Sequence, residues 1–243
     1  SAASDVYKRQ NYNTEVYDAM PITSWWDLTK EEWKGKFIFL DPTGEPDLIV
    51  LFTAMIQHAD QMAADYERVF GEPIVLADNE PTAAHAWINR VAKNGVIIES
   101  SNTNIVKNVG GASGMVDPPI GYGVSSKLRE RDLQGYLLGV DPGAFEDETP
   151  TTAISFMVAQ IADKCEHPNA AKLFIRWICG EADHTGEGLE PFLTAGSYPV
   201  FPDAPEVDAD QPALEDVPTF PLDLTYYYEN YYDVYDYWIS VQP

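Results

Sequence analysis

Residues Phe37 to Asp47 constrain the fold most. They read Phe-Ile-Phe-Leu, then Asp-Pro-Thr-Gly-Glu-Pro, then the start of a long apolar periodicity. Four consecutive apolar residues bounded by turn formers predict a buried strand. The pattern from Asp47 to Phe70 predicts one long helix closed by Gly71. In an open α/β sheet, ligands sit at the carboxyl ends of such strands, against the free N–H groups of the following helix. Thr43 and Gly44 stand at that point. Just upstream, Thr23, Ser24 and Asp27 are cap-type residues opening a short helix. Trp25, Trp26, Leu28 and Trp33 are too large and apolar to leave in water.

The same grammar continues downstream. Pro73 to Leu76 is a short apolar run, a strand or a loop packed on the core. Glu80 to Asn94 predicts a helix with Asn79 as its cap, Pro81 in the first turn and Gly95 just past its end. Val96 to Ile98 reads as a second buried strand. Ser100 to Thr103 then cap a short helix ending at Gly110-Gly111, which puts Ser101 and Asn102 at the sheet's ligand edge; capping alone explains them equally well. Pro119 to Gly123 is a further strand whose Tyr122 points either into a cleft or into the core. A short helix from Lys127 to Asp132 and a strand from Tyr136 to Val140 follow. Alternation from Trp33 to Val140 implies an α/β layer sandwich.

After a polar stretch from Asp141 to Pro150 come a strand from Thr151 to Ala159 and an amphipathic helix from Asn169 to Cys179. Thr151 and Thr152 open that strand. Cys165 and Cys179 flank the helix. A helix rises about 1.5 Å per residue, so they lie too far apart for a disulfide, which needs Cα atoms within about 7 Å. Glu187 to Leu193 predicts a short helix, and Ala204 to Pro221 an extended wrap. In the tail, Tyr228, Tyr231, Tyr232, Tyr235 and Trp238 recur at three- and four-residue spacing, so one helix face can bury them. Sugar stacking and iron-ligating phenolates are the other readings of that face.

A net charge of −24 argues against nucleic-acid and anionic-membrane partners, which need Lys/Arg patches. No apolar run approaches the roughly 20 residues that span a bilayer. After Arg176 there is no Lys or Arg, against fourteen Asp and Glu from Glu181 to Asp236, which reads as a solvated acidic face. Asp203, Glu206, Asp208 and Asp210 do not match a calcium loop. The four histidines (His58, His85, His167 and His184) have no ligand spacing. No nucleophile elbow, zinc-protease helix, Cys-x-x-Cys or phosphate loop occurs. Gly110 to Gly114 follows a helix rather than a strand and reads as a flexible loop. The chain is therefore not expected to be an enzyme, and no cofactor is expected.

The order Tyr12-Asn-Thr14, Ser24-Trp-Trp-Asp-Leu28, Glu32-Trp-Lys-Gly-Lys36, an apolar strand and Asp41-Pro42 resembles the bacterial extracellular solute-binding proteins of ABC importers, in the branch of ferric-iron, phosphonate and polyamine binders. His167 to Trp177 and Gly196 to Val200 add to the likeness. The resemblance implies a type II periplasmic-binding-protein-like α/β fold, with one complete lobe and part of the other. It divides the chain into 11–32, crossover strand and entry helix; 33–140, the second lobe; 141–200, return crossover and partial first lobe; and 201–243, acidic wrap and aromatic helix. The opening 1–10 has no apolar period, resembles an adapter-derived leader at the edge of a gene fragment, and is expected to be disordered outside the fold. The first half of the first lobe would then be missing from an N-terminally truncated chain.

The implied function is capture of a small-molecule or metal-ion solute between two lobes, for delivery to ABC permease subunits. The implied location is extracytoplasmic, in the periplasm or at the cell surface, with a lipid anchor upstream as an option. The ligand contacts would be Thr43, Gly44, Ser101, Asn102, Tyr122, Thr151 and Thr152. Ferric iron enters only as a transported ligand. The tyrosine pairs Tyr226-Tyr227 and Tyr231-Tyr232 lie in the tail rather than after the second lobe, so oxyanion, phosphonate and polyamine stay open. The rival reading is an acidic secreted protein that binds a glycan or a partner through its aromatic tail, and tail deletion would separate the two.

Overall fold

The computed structural model describes residues 2–141, 143–145, 149–180, 185–198, 207 and 216–243, with side chains from Lys8 onward except at 154–158. Most of the expected acidic wrap, and His184, lie outside the described residues.

Among the described residues six strands carry the fold: β1 (Ala2–Asn13), β2 (Phe37–Leu40), β3 (Ile97–Glu99), β4 (Ile120–Val124), β5 (Leu138–Val140) and β6 (Ile154–Val158). The sheet runs β3-β2-β4-β1-β5, with β6 paired to β1 off that path. Strand β2 is parallel to both neighbours, Phe39 standing opposite Ile98 and Tyr122. Strand β1 is antiparallel to all its partners. Its first half pairs with β6, Tyr7 opposite Ile154, and its second half with β4 and β5, Gln10 opposite Tyr122 and Tyr12 opposite Gly139. One continuous strand is thus shared between two ladders.

That arrangement corrects the expectation for Ser1 to Gln10. Ala2 onward is strand, and Lys8, Arg9 and Gln10 are buried. The strand escapes an apolar-period search because its buried residues are polar, and the two charged ones find partners far away in sequence. Arg9 meets Asp141, 132 positions on.

The helices are α1 (Pro46–Gln57), α2 (Ala59–Phe70), α3 (Ala83–Lys93), α4 (Asn102–Gly110), α5 (Glu130–Gln134), α6 (Pro168–Ile178) and α7 (Leu224–Val241). The expected long helix from Asp47 is therefore two. It breaks at His58 (φ −111°, ψ 37°), whose Nε2 lies 2.7 Å from the Pro221 carbonyl and whose ring stacks on Phe220. Thr82, not Asn79, caps α3. Glu80 is instead spent on Arg90, Asn89 and the Ala77 N–H. Pro73 to Leu76 is a loop with Val75 exposed.

The main core lies on the face of the sheet covered by α1, α3 and α7. Trp25 packs edge-on against Trp87 at 5.3 Å, and Trp238 of α7 sits 5.6 Å from Phe39 and 5.8 Å from Phe52. Three indole N–H groups reach carbonyls: Trp25 to Pro150, Trp26 to Met62 and Trp87 to Trp25. The capping box at Ser24 and Asp27 forms as expected and holds the two tryptophans in place. On the opposite face, α4 lies so close to β4 that a Cβ at Gly121 would come within 2.5 Å of the Ile105 side chain.

Two expectations change with burial. Strand β3 is an edge strand with Ile97 38% exposed, so the buried-strand reading holds for Phe37 to Leu40 but not for Val96 to Ile98. The parallel part of the sheet rests on the β2–β4 pair and the helices over it. On α7 the inward residues are Val234 and Trp238, with Tyr231 and Tyr235 partly covered, while Tyr228 and Tyr232 face solvent. The tail helix is nonetheless core packing, as one of its readings required. Cys165 and Cys179 do not bridge: one precedes α6 and the other caps its far end.

Candidate functional site

Parallel pairing brings the carboxyl ends of β2, β3 and β4 to one edge. Each delivers a short polar turn there: Asp41 to Gly44, Ser100 to Asn102, and Ser125-Ser126. Helices α1 and α4 start at this edge, so their unpaired first N–H groups face it.

The first turn is built by Asp41. Its Oδ1 accepts from the Thr43 N–H at 2.9 Å and from the Thr43 hydroxyl at 2.7 Å, and its carbonyl accepts from the Gly44 and Glu45 N–H groups. Thr43 and Gly44 themselves stay exposed. In the second turn the Ser101 hydroxyl caps α4 by accepting from the Asn104 N–H at 3.2 Å. Asn102 Oδ1 accepts from the Val124 N–H at 3.0 Å, which ties the end of β3 to the end of β4. Both side chains remain half-buried at the rim. In the third, Ser125 is buried and donates to the Gly196 carbonyl at 2.5 Å.

The remaining three sequence-predicted contacts lie deeper. Tyr122 is buried against Trp25 at 5.6 Å, and burial pushes its phenol well above the usual range despite a hydrogen bond with Thr152. Thr151 is fully buried, its hydroxyl 2.6 Å from Asp141 Oδ1 and 2.8 Å from the Gly143 carbonyl. Thr152 is equally buried, 3.2 Å from the Ala153 carbonyl. The structure thus brings Thr43, Gly44, Ser101 and Asn102 to the rim and sets Tyr122, Thr151 and Thr152 beneath the surface.

Sequence reasoning missed Lys8, Arg9 and Asp141. Alternation along β1 puts Lys8 on the α1 face, where its ammonium pairs with Asp47 at 3.5 Å. Burial lowers its pKa, and Asp47 and Glu45 pull the other way. Arg9 points to the opposite face and is buried. Its Nε is 3.2 Å from both oxygens of Asp141, with Tyr198 at 3.4 Å from Nη1. Asp141 also accepts from the Gln10 and Gly143 N–H groups, each at 2.7 Å. Burial disfavours the Arg9 charge, but Asp141 more than restores it. This knot joins β1 to the segment that follows β5. The Asp-Pro-Gly sequence at 141–143 was the available signal for it. Beside it is a cavity of about 310 Å³ lined by Arg9, Tyr12, Ser125, Arg131 and Tyr198, among others.

No group of three His, Cys, Asp or Glu among the described residues is placed to hold a metal ion. His85 is 2.8 Å from the Thr82 hydroxyl, and burial lowers its pKa. No described helix is long and apolar enough to cross a membrane.

The fold has close structural counterparts. Iron-bound HitA from Pseudomonas aeruginosa superposes with a TM-score of 0.68 at 16% identity, covering 99% of this chain and 68% of that one. AfuA from Actinobacillus pleuropneumoniae, with exogenous fructose-6-phosphate bound, gives 0.61 at 16% identity over 99% and 67% of the two chains. An ABC transporter structure from Clostridium perfringens gives 0.59 at 14% identity over 100% and 69%. The chain therefore spans about two thirds of each and carries the type II periplasmic-binding-protein-like fold, one lobe with part of the other. No curated protein matches it in sequence. The family model for bacterial extracellular solute-binding proteins matches residues 7–221. The chain belongs to that family, the bacterial extracellular solute-binding proteins.

Proposed function

We propose that this chain captures a small, positively charged solute at the carboxyl edge of β2, β3 and β4 and presents it to an ABC permease. The observation that carries the proposal is the sharing of β1 between two ladders. A strand that belongs half to one lobe and half to the other is the element about which two lobes close over a bound solute. Thr43, Gly44, Ser101 and Asn102 form the rim contacts, through the Thr43 and Ser101 hydroxyls and the Asn102 amide oxygen. Tyr122, Thr151 and Thr152 serve from below, as the floor that fixes the rim.

The carboxylates of the edge favour a cation and are set against the two helix N-termini there, which by themselves favour an anion. Asp41, Glu45, Asp47 and Glu99 stand at or beside it, while Lys8 is already engaged by Asp47. A polyamine suits such a rim better than ferric iron. Iron needs convergent hard ligands, and the tail tyrosines are committed to α7.

Titration calorimetry with spermidine, ferric citrate, methylphosphonate and fructose-6-phosphate tests the proposal. Heat is expected with spermidine, and it should fall at least about tenfold in affinity when Thr43 and Ser101 are both changed to alanine, an expected loss of roughly 1.4 kcal/mol. Binding of a phosphorylated compound alone would overturn the charge argument. Binding that is indifferent to the rim variants would overturn the site. Tail deletion does not discriminate, because α7 is part of the core. Tyr228→Ser with Tyr232→Ser removes the exposed tail aromatics instead, and spermidine binding should survive it.

A further inference from the structure

Five buried side-chain atoms have no hydrogen-bond partner among the described residues, and four of them lie in one short run of β1: Lys8 Nζ, both amide atoms of Gln10, and Asn11 Oδ1. Lys8 is the charged one. Its side chain is 3% exposed, and its ammonium meets Asp47 Oδ2 at 3.5 Å without a hydrogen bond. Three N–H donors are thus held by one long ion pair. Asp47 stands in the first turn of α1, at the rim, and its side chain is 28% exposed. One carboxylate is therefore reached by a buried lysine from within and by water from outside.

We infer that Lys8 is a displaceable internal cation, which gives up a proton when a cationic solute settles on Asp47. The inference rests on the reading of this edge as a cation site. Two ammonium groups share one carboxylate only at high cost where water is scarce, because like charges repel strongly there. The lysine is the one that yields. Burial already lowers its pKa, against the pull of Asp47 and Glu45, while the solute's amine arrives from water with its ordinary value. One Nζ–H bond breaks, the proton passes to water and buffer, and the electron pair stays on Nζ. A neutral amine can accept a hydrogen bond, which an ammonium cannot. Gln10, two residues along the same face of β1, has an unpartnered amide nitrogen to donate. The other described titratable groups around Asp47 are Tyr122 on β4 and Tyr227 on α7. Burial first, with Asp47 among the further causes, holds both phenols above their ordinary range, so neither exchanges a proton near neutral pH.

Titration calorimetry of the 243-residue chain with spermidine tests this, near neutral pH in buffers of low and high ionisation enthalpy. The wild-type heat is expected to vary with the buffer, its slope giving up to about one proton released per solute. Lys8→Met and Lys8→Arg, each checked for native near-ultraviolet dichroism, should both abolish the release. Their affinities should part. Methionine removes the competing charge and should bind spermidine more tightly than wild type. Arginine cannot deprotonate and should bind at least about tenfold more weakly. Spermidine binding with no buffer dependence in wild type would overturn the inference and leave the reading of the edge standing. So would proton release that survives Lys8→Met, or affinities that fall alike in both variants. No spermidine binding in any of the three chains would overturn both.

Discussion

Helices α7 and α6 are both amphipathic and rich in aromatics, yet they end in opposite environments. Trp238 of α7 is fully buried between Phe39 and Phe52, whereas Trp177 of α6 is 47% exposed. The difference lies in what stands opposite. Helix α7 returns to a finished layer, the face of the sheet already covered by α1 and α3. Helix α6 follows β6, which pairs with the first half of β1, and there the described residues supply no layer to cover it. Amphipathicity thus specifies which side of a helix seeks a partner, and the rest of the fold decides whether one is present.

The largest expected effect is a direct contrast of these two tryptophans. Trp238→Ala opens a cavity in the core and should cost about 3–5 kcal/mol, read by urea denaturation of the monomer. Trp177→Ala should shift stability by no more than about 0.5 kcal/mol. Equal losses would mean that α6 packs as α7 does.

Next comes a gain within β1, the strand that links the two regions. Both amide atoms of the buried Gln10 side chain lack a hydrogen-bond partner among the described residues. Leucine there removes two desolvated polar atoms, so Gln10→Leu should stabilise by about 1–3 kcal/mol. A loss instead would show that the amide is satisfied in solution.

A smaller effect lies at the start of α3. Burial raises the Glu80 pKa, but Arg90, the Ala77 N–H and Asn89 outweigh it and hold the carboxylate below its ordinary 4.5. The unfolded chain therefore takes up the proton first on acidification. The Glu80 contribution is complete above about pH 5 and is lost as pH falls through the depressed folded value. Melting temperature followed from neutral pH into acid should drop more steeply in wild type than in Glu80→Gln. Parallel curves would contradict the pairing. Smallest of all, Tyr228→Ser on the solvent side of α7 should change stability by less than about 0.5 kcal/mol.

The sequence was legible where signals were local. The Asp41 turn, the Ser101 cap, the Ser24–Asp27 capping box and the apolar run of β2 each declare themselves within a few residues, and all formed. Thr43, Gly44, Ser101 and Asn102 were placed by such signals. The break at His58 was not visible, because what holds it is a carbonyl at Pro221 and a ring at Phe220, far along the chain. The part of β1 before Asn11 was missed for the same reason: Lys8 and Arg9 are made compatible with burial by Asp47 and Asp141. Tyr122, Thr151 and Thr152 could not be sorted into rim or floor, since alternation places a side chain on a face but not at a depth.

Hydrogen exchange with and without saturating spermidine tests the central claim, solute capture at the carboxyl edge of β2, β3 and β4, most directly. Amides at Thr43 to Glu45 and at Asn102 to Asn104 should gain protection when the solute is bound, with those of α7 unchanged. Protection confined to Leu224 to Tyr232, with the rim exchanging as before, would contradict the account and favour recognition through the aromatic tail.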